Sequence, residues 1–277
     1  MGRQKKAARI LDTIMTNPFF AKVSPAWQRL LAGIPSQCEV CHAWPAQRLC
    51  EDCVARFARP CVRCRSCALP VAAGVVHCPQ CVRQPPPLDA CIAAVDYGFP
   101  WERILSAYKF HGDPGWARTL ALLLRSTPWA EPALEAADCL LPLPLSPQRL
   151  RNRGFHQTLL LARALAPNKV DAQLLLRVRD TPAQSSLGRA QRLDNLQGAF
   201  ALAPQRQLQV QGKRVVLLDD VMTTGTTLHT AATVLREAGA AHIQYALCFI
   251  SFWSSPKSPP TRAISSALRP TLAAPCI

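Results

Sequence analysis

The sequence lacks any uninterrupted run of about 18 apolar residues, the length a helix needs to cross a bilayer. A helical membrane span is therefore excluded. No secretory leader is expected from the opening residues either. The opening MGRQKKAARI is basic, but neither an apolar core nor a small-residue cleavage site follows it. A cytoplasmic location is the expectation. Carboxylates are scarce: 17 Asp+Glu stand against 32 Lys+Arg, a net charge of +15. The shortage is uneven. Residues 1–84 carry 12 basic and 4 acidic side chains, residues 85–250 carry 17 and 13, and the tail carries 3 and none. Such a surface favours polyanions, whether phosphates, nucleic acid or a membrane surface. An Arg-rich solvated face is the plain alternative. The tail, residues 251–277, also lacks periodicity. It is rich in Ser and Pro and is expected to be disordered.

Cysteine is abundant and concentrated. Nine of the 13 cysteines lie between Cys38 and Cys81. Cys38/Cys41 with Cys50/Cys53 form one CxxC…CxxC set, and Cys64/Cys67 with Cys78/Cys81 form a second. Two such hooks can close four thiolates around one tetrahedral ion, at about 2.3 Å per Zn–S bond. The segment is too short and too poor in apolar residues to fold on its own core, so metal binding would supply its folding free energy. Two structural zinc ions are the expectation. Disulfides would need an oxidising compartment, and an iron–sulfur cluster is the other use of such thiols. Cys61 overlaps the second set in CVRCRSC, and taking Cys64/Cys67 as the hook keeps the two halves alike. His42 and His77 each adjoin a hook cysteine. Ahead of the hooks, Ile10, Leu11 and Ile14, then Trp27, Leu30 and Leu31, have amphipathic helical spacing.

Pro85-Pro86-Pro87 marks a stiff junction. Beyond it strands and helices alternate. Strands are expected at 90–97, 138–143, 173–178, 199–202, 214–218 and 242–249. Helices are expected at 102–110, 116–125, 155–166 and 226–238. Leu228, Ala231, Ala232 and Leu235 share one face of the last helix, and Gly239 suits the position just past its end. This alternation implies an α/β fold: a mostly parallel sheet with flanking helices. The expected plan is a helical extension (1–35), a double zinc ribbon (36–84), an α/β domain (85–250) and a disordered tail (251–277).

The most informative stretch is residues 212–228, GKRVVLLDDVMTTGTTL. An apolar strand runs into two carboxylates, Asp219 and Asp220. Val221 and Met222 follow, then a loop of small residues, Thr223, Thr224, Gly225, Thr226 and Thr227, from which a helix starts. Acids at the carboxyl end of a parallel strand can accept hydrogen bonds from vicinal ribose hydroxyls. The loop and helix N-terminus turn N–H groups toward an anion, and Gly225 lets the backbone approach it closely. A lone TTGTT is weak evidence. The ordered combination describes a ribose-phosphate site.

With these motifs the chain resembles the type I phosphoribosyltransferases, and among them the ComF family of double-zinc-ribbon proteins. The resemblance rests on the paired hooks, on YKFHGD (108–113) and LLPLPLSPQRLRNRGFHQ (140–157), on Gln184 with Arg192 and Asn195, on GAF (198–200), and on DDVMTTGTT. It implies that residues 219–227 bind PRPP, the ribose hydroxyls on Asp219 and Asp220 and the 5-phosphate on Thr223 to Thr227. It implies that the turn after Leu143 faces pyrophosphate, with Arg149, Arg151 and Arg153 just beyond. Arginine forks suit phosphate oxygens; a basic helix start or a nucleic-acid contact would explain the same residues. Mg²⁺ would accompany PRPP. Residues 180–196 would form a mobile loop over the site, and Lys109 and His111 either reach the substrate or pack and cap.

The implied activity is pentosyl transfer, through an oxocarbenium-like ribose with pyrophosphate leaving. No covalent nucleophile is required. Members of the fold that act on 6-oxopurines have an Asp where this chain has Thr223, which argues against that acceptor. The resemblance also implies a role in DNA uptake during natural competence, with single-stranded DNA and competence-machinery proteins as partners. The alternative is a non-catalytic scaffold or sensor that keeps the PRPP fold and binds single-stranded DNA through the basic ribbon.

Overall fold

A computed structural model of the chain describes residues 36–44, 46–178 and 198–251. The expected N-terminal helices, the loop 180–196 with Gln184, Arg192 and Asn195, and all of the tail beyond Ser251 lie outside the described residues. The chain divides into two compact units, residues 1–51 and 52–277. In the first unit Ser36 and Ala46 form an antiparallel bridge, each amide donating to the other's carbonyl at 2.8 and 2.7 Å. The turn between them brings the His42 amide to the Cys38 carbonyl at 2.9 Å. Helix α1 follows at Glu51–Phe57.

The second unit is built on a four-stranded parallel sheet in the order β1 (Ala90–Asp96), β6 (His242–Ile250), β5 (Arg214–Met222), β2 (Cys139–Pro142). The two central strands are buried on both faces: residues 215–218 and 245–250 are almost wholly inaccessible. Such runs suit a sheet covered on both sides. From β1 the chain crosses to the far edge through α2, α3 and α4 of the α/β domain (Trp101–Phe110, Trp116–Arg125 and Ala130–Ala136). From β2 it passes through α5 (Pro147–Arg153) and α6 (Gln157–Leu165) into a short antiparallel pair, β3 (Leu175–Arg177) and β4 (Phe200–Leu202). Helix α7 (Thr226–Glu237) joins β5 to β6. One short helix, Pro79–Arg83, lies within the second cysteine set and is left unnumbered.

The four expected apolar positions of α7 do face the sheet. Leu228, Ala231, Ala232 and Leu235 pack with Val215, Leu217, Ile243, Tyr245 and Leu247 in one cluster. Burying Leu228 and Leu235 is worth about 1.5–3 kcal/mol each by area. The Tyr245 hydroxyl donates to the Leu228 carbonyl and ties strand to helix. On the opposite face α6 lies against α4's neighbour α3 and against β2 and β5. One boundary differs from expectation. Strand β5 does not stop at Leu218 but pairs with β6 as far as Met222 opposite Ile250. The acid pair is therefore part of the strand, held by backbone pairing on its β6 side.

The edge strand β1 is engaged near both of its ends by the second cysteine set. The Cys91 amide donates to the Arg65 carbonyl at 2.7 Å, and Arg63 Nη1 meets Asp96 Oδ1 at 2.9 Å. The second cysteine set thus takes up one of the backbone groups this edge presents. At the start of β1, Asp89 Oδ2 accepts from the Ile243 amide and from Arg236 Nη2, both at 2.7 Å. Burial pushes the Asp89 carboxyl up, but the Ile243 amide and the Arg236 guanidinium outweigh it and hold it below the usual range. A carboxyl depressed in the folded state stabilises at neutral pH, and that contribution fades as pH falls through the folded value. Asp89→Asn is expected to melt below wild type at pH 7. The gap should close in acid, as read by thermal melts across pH.

Candidate functional site

The loop after β5 is shaped by one residue. Gly225 has φ +72°, in the left-handed region that side-chain-bearing residues enter at a cost of about 1–2 kcal/mol. A Cβ there would also meet His229 Nε2 at 3.1 Å. Helix α7 begins directly after it. No side chain caps this helix and no acid lies in its first turn. The positive end of a 12-residue helix is thus presented without a built-in anion. Thr224 Oγ1 and Thr226 Oγ1 lie 2.9 Å apart. Thr226 is buried, Thr224 and Thr227 are half-buried, and Thr223 is exposed. Hydroxyls, a close backbone approach and a helix N-terminus therefore converge at the end of β5.

Successive strand residues point to opposite faces. Asp219 accordingly shares the side of Val215 and Leu217, under α7, and Asp220 the side of Val216 and Leu218. Asp220 is only 2% exposed, and a buried carboxylate needs partners. It has two. Lys109 Nζ of α2 lies 2.9 Å from Oδ1, and Gln157 Nε2 of α6 donates to Oδ2 at 3.2 Å. Burial pushes the Asp220 carboxyl up, but Lys109 above all, with Arg153 and Gln157, holds it below its ordinary value. Asp219 moves the other way: burial and the neighbouring Asp220 charge raise it well above the usual range. Two adjacent carboxylates cannot both ionise cheaply, and the cation decides which keeps the charge.

Lys109, expected either to reach the substrate or to pack and cap, instead pairs with a buried carboxylate, and Gln157 had no role expected from the sequence. Both sat inside motifs, YKFHGD and RGFHQ, but only the tertiary structure brings these motifs to one carboxylate. The Tyr108 hydroxyl donates to the Gln157 carbonyl at 2.5 Å, so the two motifs also lock to each other. His111 closes α2, its amide donating to the Ala107 carbonyl at 3.3 Å, and its side chain is exposed. His156 begins α6. Its Nδ1 accepts from the Leu159 amide at 3.2 Å, and burial lowers its imidazole to about 4, so it is neutral.

The residues expected near pyrophosphate follow β2. The Leu143 amide donates to the Leu218 carbonyl at 2.9 Å, extending the pairing of β2 with β5 by one residue. Ser146 then caps α5, accepting from the Arg149 amide at 3.3 Å. Arg149 is half-buried and Arg151 exposed. Arg153 sits over the Phe110 ring at 5.4 Å, and burial lowers its guanidinium value although the Asp220 charge opposes this. Of the three arginines, Arg153 is the one linked electrostatically to the acid pair.

Both cysteine tetrads assemble. The sulfurs of Cys38, Cys41, Cys50 and Cys53 lie within 4.8 Å of one another, as do those of Cys64, Cys67, Cys78 and Cys81. The Cys50 amide points at Cys38 Sγ at 3.4 Å and the Cys78 amide at Cys64 Sγ at 3.2 Å. Burial opposes ionisation at both sulfurs, but hook amides outweigh it and bring Cys38 to about 6 and Cys64 to about 7. In the second set, burial and the Cys64 charge push Cys67 up, and burial leads the rise of Cys81 to about 12. One thiolate prepared by amides, with crowded sulfurs around it, is a donor set that a divalent soft-ligand cation relieves. Cys61 falls outside the tetrad, in agreement with the hook chosen from symmetry.

Among known proteins, residues 160–258 match the phosphoribosyl transferase domain family. The chain is 33% identical over 225 residues to DNA utilization protein YhgH of Salmonella typhimurium, covering 78% of this chain and 97% of that one. It is 31% identical to competence protein F of Haemophilus influenzae, covering 65% and 81%. It is also 31% identical to competence protein ComFC of Bacillus subtilis, covering 52% and 57%. With a parallel sheet whose strand β5 carries an acid pair ahead of a glycine-hinged loop, two cysteine tetrads and these relatives, the chain belongs to the ComF family of phosphoribosyltransferase-domain proteins.

Proposed function

We propose that residues 85–250 bind PRPP with Mg²⁺ and act as a phosphoribosyltransferase, while residues 36–84 hold two structural zinc ions. The observation that carries this reading is the continuity of β5, the acid pair, the loop hinged at Gly225 and the uncapped start of α7. Asp219 and Asp220 take the ribose hydroxyls. Val221 and Met222 hold the strand in register, and Thr223 to Thr227 surround the 5-phosphate. The turn at Leu143 faces pyrophosphate, with Arg149, Arg151 and Arg153 beyond it. Mg²⁺, when bound, neutralises the diphosphate. The protein's own contribution is orientation and charge stabilisation around the ribose. Thr223 directs attention to acceptors other than 6-oxopurines.

Calorimetric titration of PRPP with Mg²⁺ is expected to show binding to wild type. Asp219→Ala/Asp220→Ala should weaken it beyond about 100-fold, as expected when two hydrogen-bonding carboxylates are lost. A silent wild type would sink the proposal.

Zinc is supported by the two tetrads and their amide-to-sulfur geometry. About two equivalents are expected by elemental analysis, four thiolates per ion. Chelation should unfold the cysteine-rich module, seen as loss of amide protection there. One equivalent, or iron, would refute the hook pairing.

A second reading has its own support: a charge excess concentrated in residues 1–84, and relatives whose names refer to DNA utilization and competence. Under this reading the protein binds single-stranded DNA and competence-machinery proteins as a scaffold or sensor in the cytoplasm. Affinity for an unstructured oligonucleotide should fall steeply between low and high salt, through counterion release. A flat salt profile would remove this reading.

A further inference from the structure

Asp220 is the most deeply buried charged group of the described residues, and each of its oxygens is held by a different helix. Lys109 reaches Oδ1 from α2 and Gln157 reaches Oδ2 from α6, a residue 63 positions away in the chain. Both ends of the ion pair are enclosed: the side chains are 11% and 3% exposed. Lys109 therefore has little freedom to serve as a wandering surface cation.

The Gln157 amide can be oriented by chemistry. An ionised Asp220 only accepts hydrogen bonds, so the NH₂ group must face it. This leaves Gln157 Oε1 buried with no partner among the described residues, on a side chain that is 2% exposed. A buried acceptor left unmet is costly, and natural structures keep few of them. Gln157 is also anchored through its own carbonyl by Tyr108, the residue before Lys109. Two helices are thus clamped to each other and to one carboxylate.

We propose that Lys109 and Gln157 are positioning residues of the ribose site, acting through Asp220 to keep its carboxylate ionised and aimed. The proposal rests on the ribose-phosphate reading above and deepens it. Lys109 and Tyr108 from α2, Arg153 from α5, His156 and Gln157 at the start of α6 and Cys248 from β6 surround Asp220, and Asp219 adjoins it on β5. Of these, Lys109 is the cation in direct contact. Without it, Asp220 would stand buried beside a second carboxyl, and the pair would retain protons into the neutral range. The acceptor aimed at the ribose hydroxyls would then be lost. Gln157 adds direction: it fixes the rotation of the carboxylate that Lys109 keeps charged. Its spare Oε1 is a fixed acceptor beside that carboxylate for a donor hydroxyl.

The test is a double-mutant cycle read by PRPP·Mg²⁺ calorimetry on the full chain. Lys109→Met should weaken binding at pH 7 by about tenfold or more, the effect of displacing a coupled carboxyl by a unit or more. Affinity should recover on raising pH more steeply than in wild type, because Asp220 ionises again. Lys109→Arg should retain most of the binding. Lys109→Met with Asp220→Asn should be no weaker than the weaker single variant. Gln157→Leu should weaken binding with no added pH dependence, and it carries the test with Lys109→Arg if Lys109→Met does not melt cooperatively. Full affinity in Lys109→Met and Gln157→Leu, or losses that simply add in the double variant, would overturn the proposal. A wild type that binds no PRPP would instead defeat the ribose-phosphate reading itself.

Discussion

Strand β5 carries the site because it is hydrogen-bonded on both sides. β6 pairs with it along its length and β2 along its first half. This pairing continues through the acids on the β6 side, so their backbone has no freedom to turn. Their side chains then go to opposite faces by the period of the strand. Asp219 falls under α7 and the phosphate-sized loop, and Asp220 falls among helices that arrive from earlier in the chain. A loop-borne acid pair would have had no such division of surroundings. Here one strand gives two chemically equivalent residues unlike environments, and a single ammonium group separates their charge states.

The cysteine-rich segment has a structural relation to the same sheet. Arg65 and Arg63 flank Cys64, and both engage β1. A hook that would chelate metal is thus continuous with the piece of chain that contacts an edge strand. This contact matters because a bare edge is a template for unwanted pairing. The second tetrad is consequently part of the α/β unit's own architecture: Ala68, beside Cys67, is buried in the same cluster as the sheet, and Leu69 packs against it.

Much of this was legible in the chain. The hook spacings named all eight cysteines that gather into tetrads, since a CxxC turn constrains its sulfurs locally. The apolar run of β5 and the 3.6-residue spacing of Leu228, Ala231, Ala232 and Leu235 placed a strand and its covering helix. The Thr-Gly-Thr loop was visible for the same reason: its conformation is governed by residues adjacent in sequence. The end of β5 was not. Two adjacent carboxylates read as a place where a buried strand should stop, yet pairing with β6 carries the strand past them. Burial of an acid is affordable only when counter-charge arrives from elsewhere, and local pattern holds no record of that.

Elements with local causes could be read from the order of residues: metal hooks, strand and helix periodicity, and the glycine-hinged loop. The state of the acid pair depends on contacts that form only on folding. Lys109, Gln157 and Arg153 belong to three separate helices, and nothing in their own neighbourhoods points to Asp220. Folding brings them to it because Asp220, once drawn into the strand, must satisfy two oxygens away from water. Long-range electrostatics in a buried place is set by who is near in space, and that follows from the order of strands in the sheet.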